Sequence, residues 1–156
     1  MIYFVLVIFA YLSMELVAWS SHKYVMHGFL WKWHKDHHRL DNMASTPEKI
    51  ESQRFEKNDL FFIIYALPAI VLLIIGISGN NLYLISLSVG ITLYGLTYFL
   101  IHDMVIHKRL NTSLFDSWKN RYLKAIIKAH SAHHHAKTKQ DFHNYGLLVF
   151  SFRYFK

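Results

Sequence analysis

The sequence predicts an all-α integral membrane helical bundle, and three observations carry that reading. Residues 60–101 contain no Lys, Arg, Asp or Glu, and residues 1–20 contain only Glu15. All 17 Lys and Arg lie in 21–59 or 102–156. Ten of the 12 histidines follow the apolar stretches in two copies of one spaced pattern. A net charge of +7 alone would fit a nucleic-acid partner. Its confinement to two stretches instead fits a membrane protein with basic ends facing one compartment, and no nucleic-acid partner is expected.

The first predicted helix covers residues 2–20 (IYFVLVIFAYLSMELVAWS). It lacks a basic leading region and a small-residue cleavage site, so it reads as a retained helix, not a signal peptide. The next two cover 60–78 (LFFIIYALPAIVLLIIGIS) and 82–101 (LYLISLSVGITLYGLTYFLI). At ~1.5 Å per residue each spans roughly 28–30 Å, about the hydrocarbon thickness of a bilayer. Only Gly79, Asn80 and Asn81 join them, which predicts a helical hairpin with its tip on the far side. Pro68 is tolerable inside a membrane helix and can kink it. Gly90 and Gly95 read as points of close helix packing.

Among the polar parts, residues 41–55 read as a surface loop with a turn around Pro47. Residues 116–135 read as a helix with Trp118, Tyr122, Ile126 and Ile127 on one side and Lys119, Lys124 and Lys128 elsewhere. The aromatic and basic stretch 144–156 suits a membrane interface. No linker divides the chain, so 1–156 is expected to form a single membrane-embedded domain of three to four embedded helices. The positive-inside rule places the histidine groups on the cytoplasmic face of a multi-pass protein.

The histidine pattern is HX4H followed by HXXHH, twice. His22 and His27 precede His34, His37 and His38; His102 and His107 precede His130, His133 and His134. Cysteine is absent, which excludes thiolate metal sites and disulfides. Neutral imidazole is a common metal ligand, so the inventory points to a metal centre of almost pure nitrogen ligation. Positions i, i+3 and i+4 share a helix face, so each HXXHH is expected to aim at one locus. Positions i and i+5 lie ~140° apart on an ideal α-helix. An HX4H pair therefore converges only where the helix ends, loosens or flanks a cleft. Ten imidazoles exceed what one ion takes, and two ions with about five nitrogens each would use them. Asp36 and Asp103, each next to a ligand candidate, read as acceptors that orient imidazole N–H groups. His135 and His143 fall outside the pattern and read as surface or supporting residues.

These residues carry a family resemblance. ELVAWSSHKYVMHG, WKWHKDHH, FEKNDLF, YGLTYFLIHDMVIHKR and KAHSAHH, in that order, resemble the bacterial β-carotene hydroxylases of the membrane fatty acid hydroxylase superfamily. The similarity runs from about Met14 to Tyr145; FEKNDLF and the short intervals between boxes narrow it to the carotenoid enzymes. It implies a non-haem monooxygenase with two Fe ions that uses O2 to hydroxylate C3 of β-ionone rings. β-Carotene would become β-cryptoxanthin and then zeaxanthin. It further implies the ten box histidines as iron ligands, a carotenoid drawn from the membrane lipids, a ferredoxin-like electron donor and residence in the bacterial inner membrane. Zinc can replace iron in a purified sample, since imidazole sites accept both. The alternatives are a carotenoid 4-ketolase, another lipid or sterol hydroxylase, and a non-enzymatic membrane metal-binding protein. His135 extends the last box, and His143 stands in DFHNYG.

Overall fold

A computed structural model describes residues 1–41, 56–109, 120–136 and 141–156. Among them every regular element is helical: α1 (Ile2–Ser21), a first π-helix (His22–Phe29), α2 (Trp31–Asp41), α3 (Leu60–Ser78), α4 (Leu82–Tyr98), a second π-helix (Phe99–Ile106) and α5 (Arg121–His134), with 3-10 turns at Lys57–Asp59 and Phe152–Phe155. The expected loop 41–55 with Pro47, apart from Asp41, lies outside the described residues, as do 116–119 with Trp118 and Lys119.

Three helical runs are long and apolar enough to cross a membrane: Ile2–Phe29, Lys57–Ser78 and Leu82–Ile106, with mean hydropathies of 2.0, 2.9 and 1.8. Large apolar side chains cover their outer faces, as in Phe4, Phe9, Ile63 and Ile77, each more than half exposed. Surface of that kind suits hydrocarbon, not water. The Asn81 side chain caps α4 by accepting from Tyr83 N at 3.0 Å and Leu84 N at 3.3 Å, which satisfies donors at the hairpin tip. α3 runs through Pro68 without interruption.

α4 packs against both α1 and α3. Gly90 makes the first contact close: a Cβ there would lie 2.4 Å from Val7 O and 2.7 Å from Ala10 Cβ. Gly95 does not pack this way. A Cβ at Gly95 would meet nothing within 4 Å, which corrects the expectation that both glycines serve close approach. Between α1, α3 and α4 lies a cavity of about 250 Å³.

α5 is amphipathic, but its buried face differs from the expected one. Leu123, Ile126 and the histidines are buried, while Tyr122 and Ile127 sit at the edge, 42% and 37% exposed. Asn120 caps its start by accepting from Leu123 N at 2.8 Å. The C-terminal segment returns to the bundle, where Leu147 packs on Leu123 and Ile126. Glu15 receives it: Oε1 accepts from Leu148 N and Val149 N, both at 2.9 Å, and Oε2 accepts from Tyr94 Oη at 2.7 Å.

Candidate metal centre

Both HX4H pairs stand on or against π-helix, and this resolves their spacing. A π turn is closed by an i→i+5 hydrogen bond, so it stacks residues five apart as an α turn stacks residues four apart. In the second copy the closing bond joins the two histidines themselves, His107 N donating to His102 O at 3.0 Å. The rings then stand together: centroids are 5.0 Å apart for His22 and His27 and 4.5 Å for His102 and His107. The chain turns at Gly28 and begins α2, which delivers the first HXXHH box.

Nine of the ten box histidines form two groups whose ligand-capable atoms lie within 4.8 Å of one another: His22, His27, His34, His38 and His133 in the first, His37, His107, His130 and His134 in the second. His102 borders the second group, its ring 4.5 Å from His107 and 4.9 Å from His130. The boxes do not aim at single loci, which corrects the expectation for HXXHH. In α2, His34 and His38 serve the first group and His37 the second; in α5, His130 and His134 serve the second and His133 the first. The reason is angular. Residues i and i+4 lie ~40° apart on an α-helix, whereas i+3 falls ~60° to the other side of i.

Hydrogen bonds at the outer nitrogen fix four of the rings. His22 Nδ1 donates to Tyr145 O at 2.8 Å, and His133 Nδ1 donates to His143 O at 2.7 Å. His34 Nδ1 donates to Asn58 Oδ1 at 2.7 Å, and His37 Nδ1 donates to Glu56 Oε2 at 2.8 Å. A carbonyl can only accept, so Nδ1 of His22 and of His133 carries the hydrogen, and in the neutral ring Nε2 carries a lone pair. His22 Nε2 and His34 Nε2 nevertheless face each other at 3.0 Å, and so do His27 Nε2 and His133 Nε2. His107 Nε2 and His130 Nε2 repeat the spacing at 3.0 Å. Two nitrogens that share one ion at ~2.1 Å each lie within ~4 Å of one another, a limit that all three pairs meet. The buried His37 Nε2 has no hydrogen-bond partner among the described residues. The donor set fits metal ions of the kind imidazole prefers.

The rings are also kept neutral. Burial, the largest cause in each case, pushes His34, His37, His38 and His130 well below the ordinary imidazole value, with neighbouring rings adding to it. Burial takes His133, fully enclosed, down to about 3. The His37–Glu56 contact is therefore a neutral N–H donating to a carboxylate, not an ion pair. Burial in turn raises Glu56 above its ordinary value, against the pull of Arg109.

Of the two acidic residues expected to orient imidazoles, Asp103 stands 3.5 Å from His102 Nδ1. Asp36 makes no hydrogen bond or ion pair among the described residues, because its place just before His37 turns it ~100° away from that ring. The orienting groups that sequence reasoning missed are Glu56 and Asn58, together with the backbone carbonyls of His143 and Tyr145. Arg109 braces this region. It pairs with Asp59 through both guanidinium nitrogens, one at 2.7 Å, and with Asp103 at 3.1 Å. Glu56, Asn58 and Asp59 all belong to FEKNDLF, so the signal was visible although its role was not. His135 is exposed, as expected. His143 supports the site through its carbonyl, and its Nε2 lies 3.0 Å from Tyr154 Oη.

The 250 Å³ cavity reaches this centre, with His22 and His102 at its inner end and Phe62, Tyr65 and Ile70 among its apolar walls. Phe62 and Ile70 are more than half exposed, so the cavity borders the apolar outer surface of the bundle.

Residues 7–153 match the fatty acid hydroxylase family. A beta-carotene hydroxylase of Pseudescherichia vulneris is 36% identical over 92% of this chain and 74% of its own length. One of Pantoea ananas is 34% identical over 88% and 71%. The chloroplastic beta-carotene 3-hydroxylase 2 of Arabidopsis thaliana is 33% identical over 94% of this chain and 45% of its own. No solved structure matches the chain significantly.

Proposed function

The chain belongs to the fatty acid hydroxylase family, and from that premise we propose that its histidine centre serves C3 hydroxylation of the β-ionone rings of β-carotene, giving β-cryptoxanthin and then zeaxanthin. The observation that carries the metal-dependent part of this reading is the pair of lone-pair nitrogens, His22 Nε2 and His34 Nε2, held 3.0 Å apart. Each is kept a ligand by the acceptor on its Nδ1, and a cation between them turns a repulsion into a bond. His133, held through its Nδ1 by the His143 carbonyl, turns its Nε2 in the same way to within 3.0 Å of His27 Nε2.

Two iron ions would use the two groups, the first held by His22, His27, His34, His38 and His133, the second by His37, His107, His130 and His134 with His102, which borders that group, as its fifth ligand. Iron bound there supplies the redox chemistry with O2 that an unactivated C–H bond requires. The chain's own residues do the rest. Glu56, Asn58 and the Tyr145 and His143 carbonyls hold the imidazoles in one tautomer and one direction. The apolar walls at Phe62 and Ile70 admit the substrate from the membrane and keep water from the inner end. A ferredoxin-like carrier supplies electrons at the face where Arg121, Lys124 and Lys128 lie, and acidic character in the carrier would complement them. The positive-inside rule supports a cytoplasmic position for that face and the histidines, and the bacterial relatives support residence in a bacterial inner membrane.

Pigment analysis tests the proposal. Expressed in bacterial cells that accumulate β-carotene, the chain should give zeaxanthin with some β-cryptoxanthin. Keto-carotenoids would move the assignment to a 4-ketolase. Unchanged β-carotene, with the protein in the membrane and a donor supplied, would refute the substrate.

A further inference from the structure

Gly95 is the one position on α4 where the cavity wall lacks a side chain. It lines the cavity beside Ile91, one turn earlier, and Tyr98, one turn later. A Cβ there would meet nothing within 4 Å. No neighbouring helix therefore requires glycine, in contrast to Gly90, where a Cβ would collide with Val7 O. Glycine is also a poor helix former, so local structure does not favour it either. What its absent side chain leaves is width in the passage. Gly95 precedes His102 by seven residues, roughly 10 Å along the helix, so this open stretch of wall lies on the approach to the histidines.

The end of β-carotene is a broad ring carrying geminal methyl groups, whereas the polyene behind it is slender and flat. A cavity of about 250 Å³ accommodates one such end and not the whole molecule, which leaves the polyene at the apolar outer surface that the cavity borders. We propose that Gly95 sets the width of this passage and is the residue that lets a methylated ring end, not only a slender chain end, reach the histidines. The inference rests on the carotenoid reading above.

The test uses the full chain, purified with its metal in detergent from cells that make no carotenoid, with β-carotene then added in the absence of O2 and of any electron donor. Pigment retained per chain is read by absorbance, so the measurement does not depend on turnover. Gly95→Ala should reduce retention about twofold and Gly95→Leu about tenfold or more. Both variants should melt at or above the wild-type temperature, because glycine is replaced by a better helix former in open space. Ile91→Ala, which removes bulk from the same wall, should restore retention to Gly95→Leu. Undiminished retention by Gly95→Leu overturns the proposal. So does an equal loss with Ala and Leu at lowered melting temperatures, or a failed rescue, since either marks a packing role. A wild-type protein that neither retains nor hydroxylates β-carotene overturns the substrate reading itself, which is a different failure from an unaffected variant.

Discussion

Glu15 is a carboxylate inside a membrane helix, and its replacement by alanine should damage a metal centre it does not touch. Its two oxygens accept three hydrogen bonds, from Tyr94 Oη at 2.7 Å and from Leu148 N and Val149 N at 2.9 Å. A hydrogen bond to a charged group contributes about 1.5–3 kcal/mol. Val149 is 72% exposed, so its N–H can turn to water and is counted as nothing. The remaining two bonds give a loss of about 3 kcal/mol at the low end of that range. The fit is tight as well, since a Cβ on Gly146 would lie 2.6 Å from Glu15 Oε1. The segment released is the one whose Tyr145 and His143 carbonyls hold His22 and His133. Loss of such orienting partners typically costs 10–100-fold in metal affinity. Glu15→Ala should therefore weaken metal binding by about tenfold or more in a chelator competition and expose the C-terminal segment to protease. Glu15→Gln keeps an acceptor for both backbone N–H groups and should recover most of the affinity. Wild-type affinity and protease resistance in Glu15→Ala would refute the reasoning.

Three further outcomes are expected. His37→Ala and His133→Ala fall in different groups, so each should abolish zeaxanthin formation and lower metal content by about one ion per chain; turnover by either sinks the ligand assignment. Glu56→Ala should weaken metal binding roughly 10–100-fold and Glu56→Gln by less, as read by the same chelator competition, and equal affinities would remove Glu56 as the orienting group of His37. Metal-free protein should lose stability on acidification. His34, His37, His38, His130 and His133 lie below the ordinary imidazole value when folded, so the unfolded chain binds more protons. Stability is full above about pH 6.5 and falls as pH drops towards the value of about 3 at His133, by at most ~1.4 kcal/mol per histidine per pH unit. Glu56, raised by burial, pulls the other way, one group against five. A melting temperature unchanged between about pH 7 and pH 5 would contradict this.

Much of the architecture was legible because it is written in local chemistry. A bilayer demands runs of apolar residues and tolerates almost no charge, so the three spans emerge from composition alone, and their ends agree with the helices within a residue or two at most boundaries. The second π-helix blurs one end, since the apolar run to Ile101 continues helically past Tyr98. The need for a loosened helix at HX4H was legible too, because five-residue spacing contradicts α geometry. What it could not convey was the specific remedy, an i→i+5 turn at both places. Glu56 and Asn58 were hidden because they lie 19 and 24 residues from the histidines they orient, a pairing that only the tertiary fold creates. Gly95 was misread for a related reason. Glycine in a membrane helix usually marks a close neighbour, and only the positions of α1 and α3 show that here no neighbour comes near.

The division of the boxes has a mechanical consequence that a list of ligands hides. α2 gives two rings to the first group and one to the second, and α5 gives one to the first and two to the second. Each helix thus bridges both groups, and His38 and His134 stack at 4.2 Å where the groups meet. A box cannot rotate to improve one group without spoiling the other, because i+3 and i+4 turn with the same helix. The orienting bonds must then hold helices as well as rings, and they come from the segments that precede α3 and follow α5. That explains why a carboxylate on α1, which touches no histidine, bears on the centre. It fixes the segment that fixes two rings, one on the first π-helix and one on α5, and through α5 it reaches the group to which His133 does not belong.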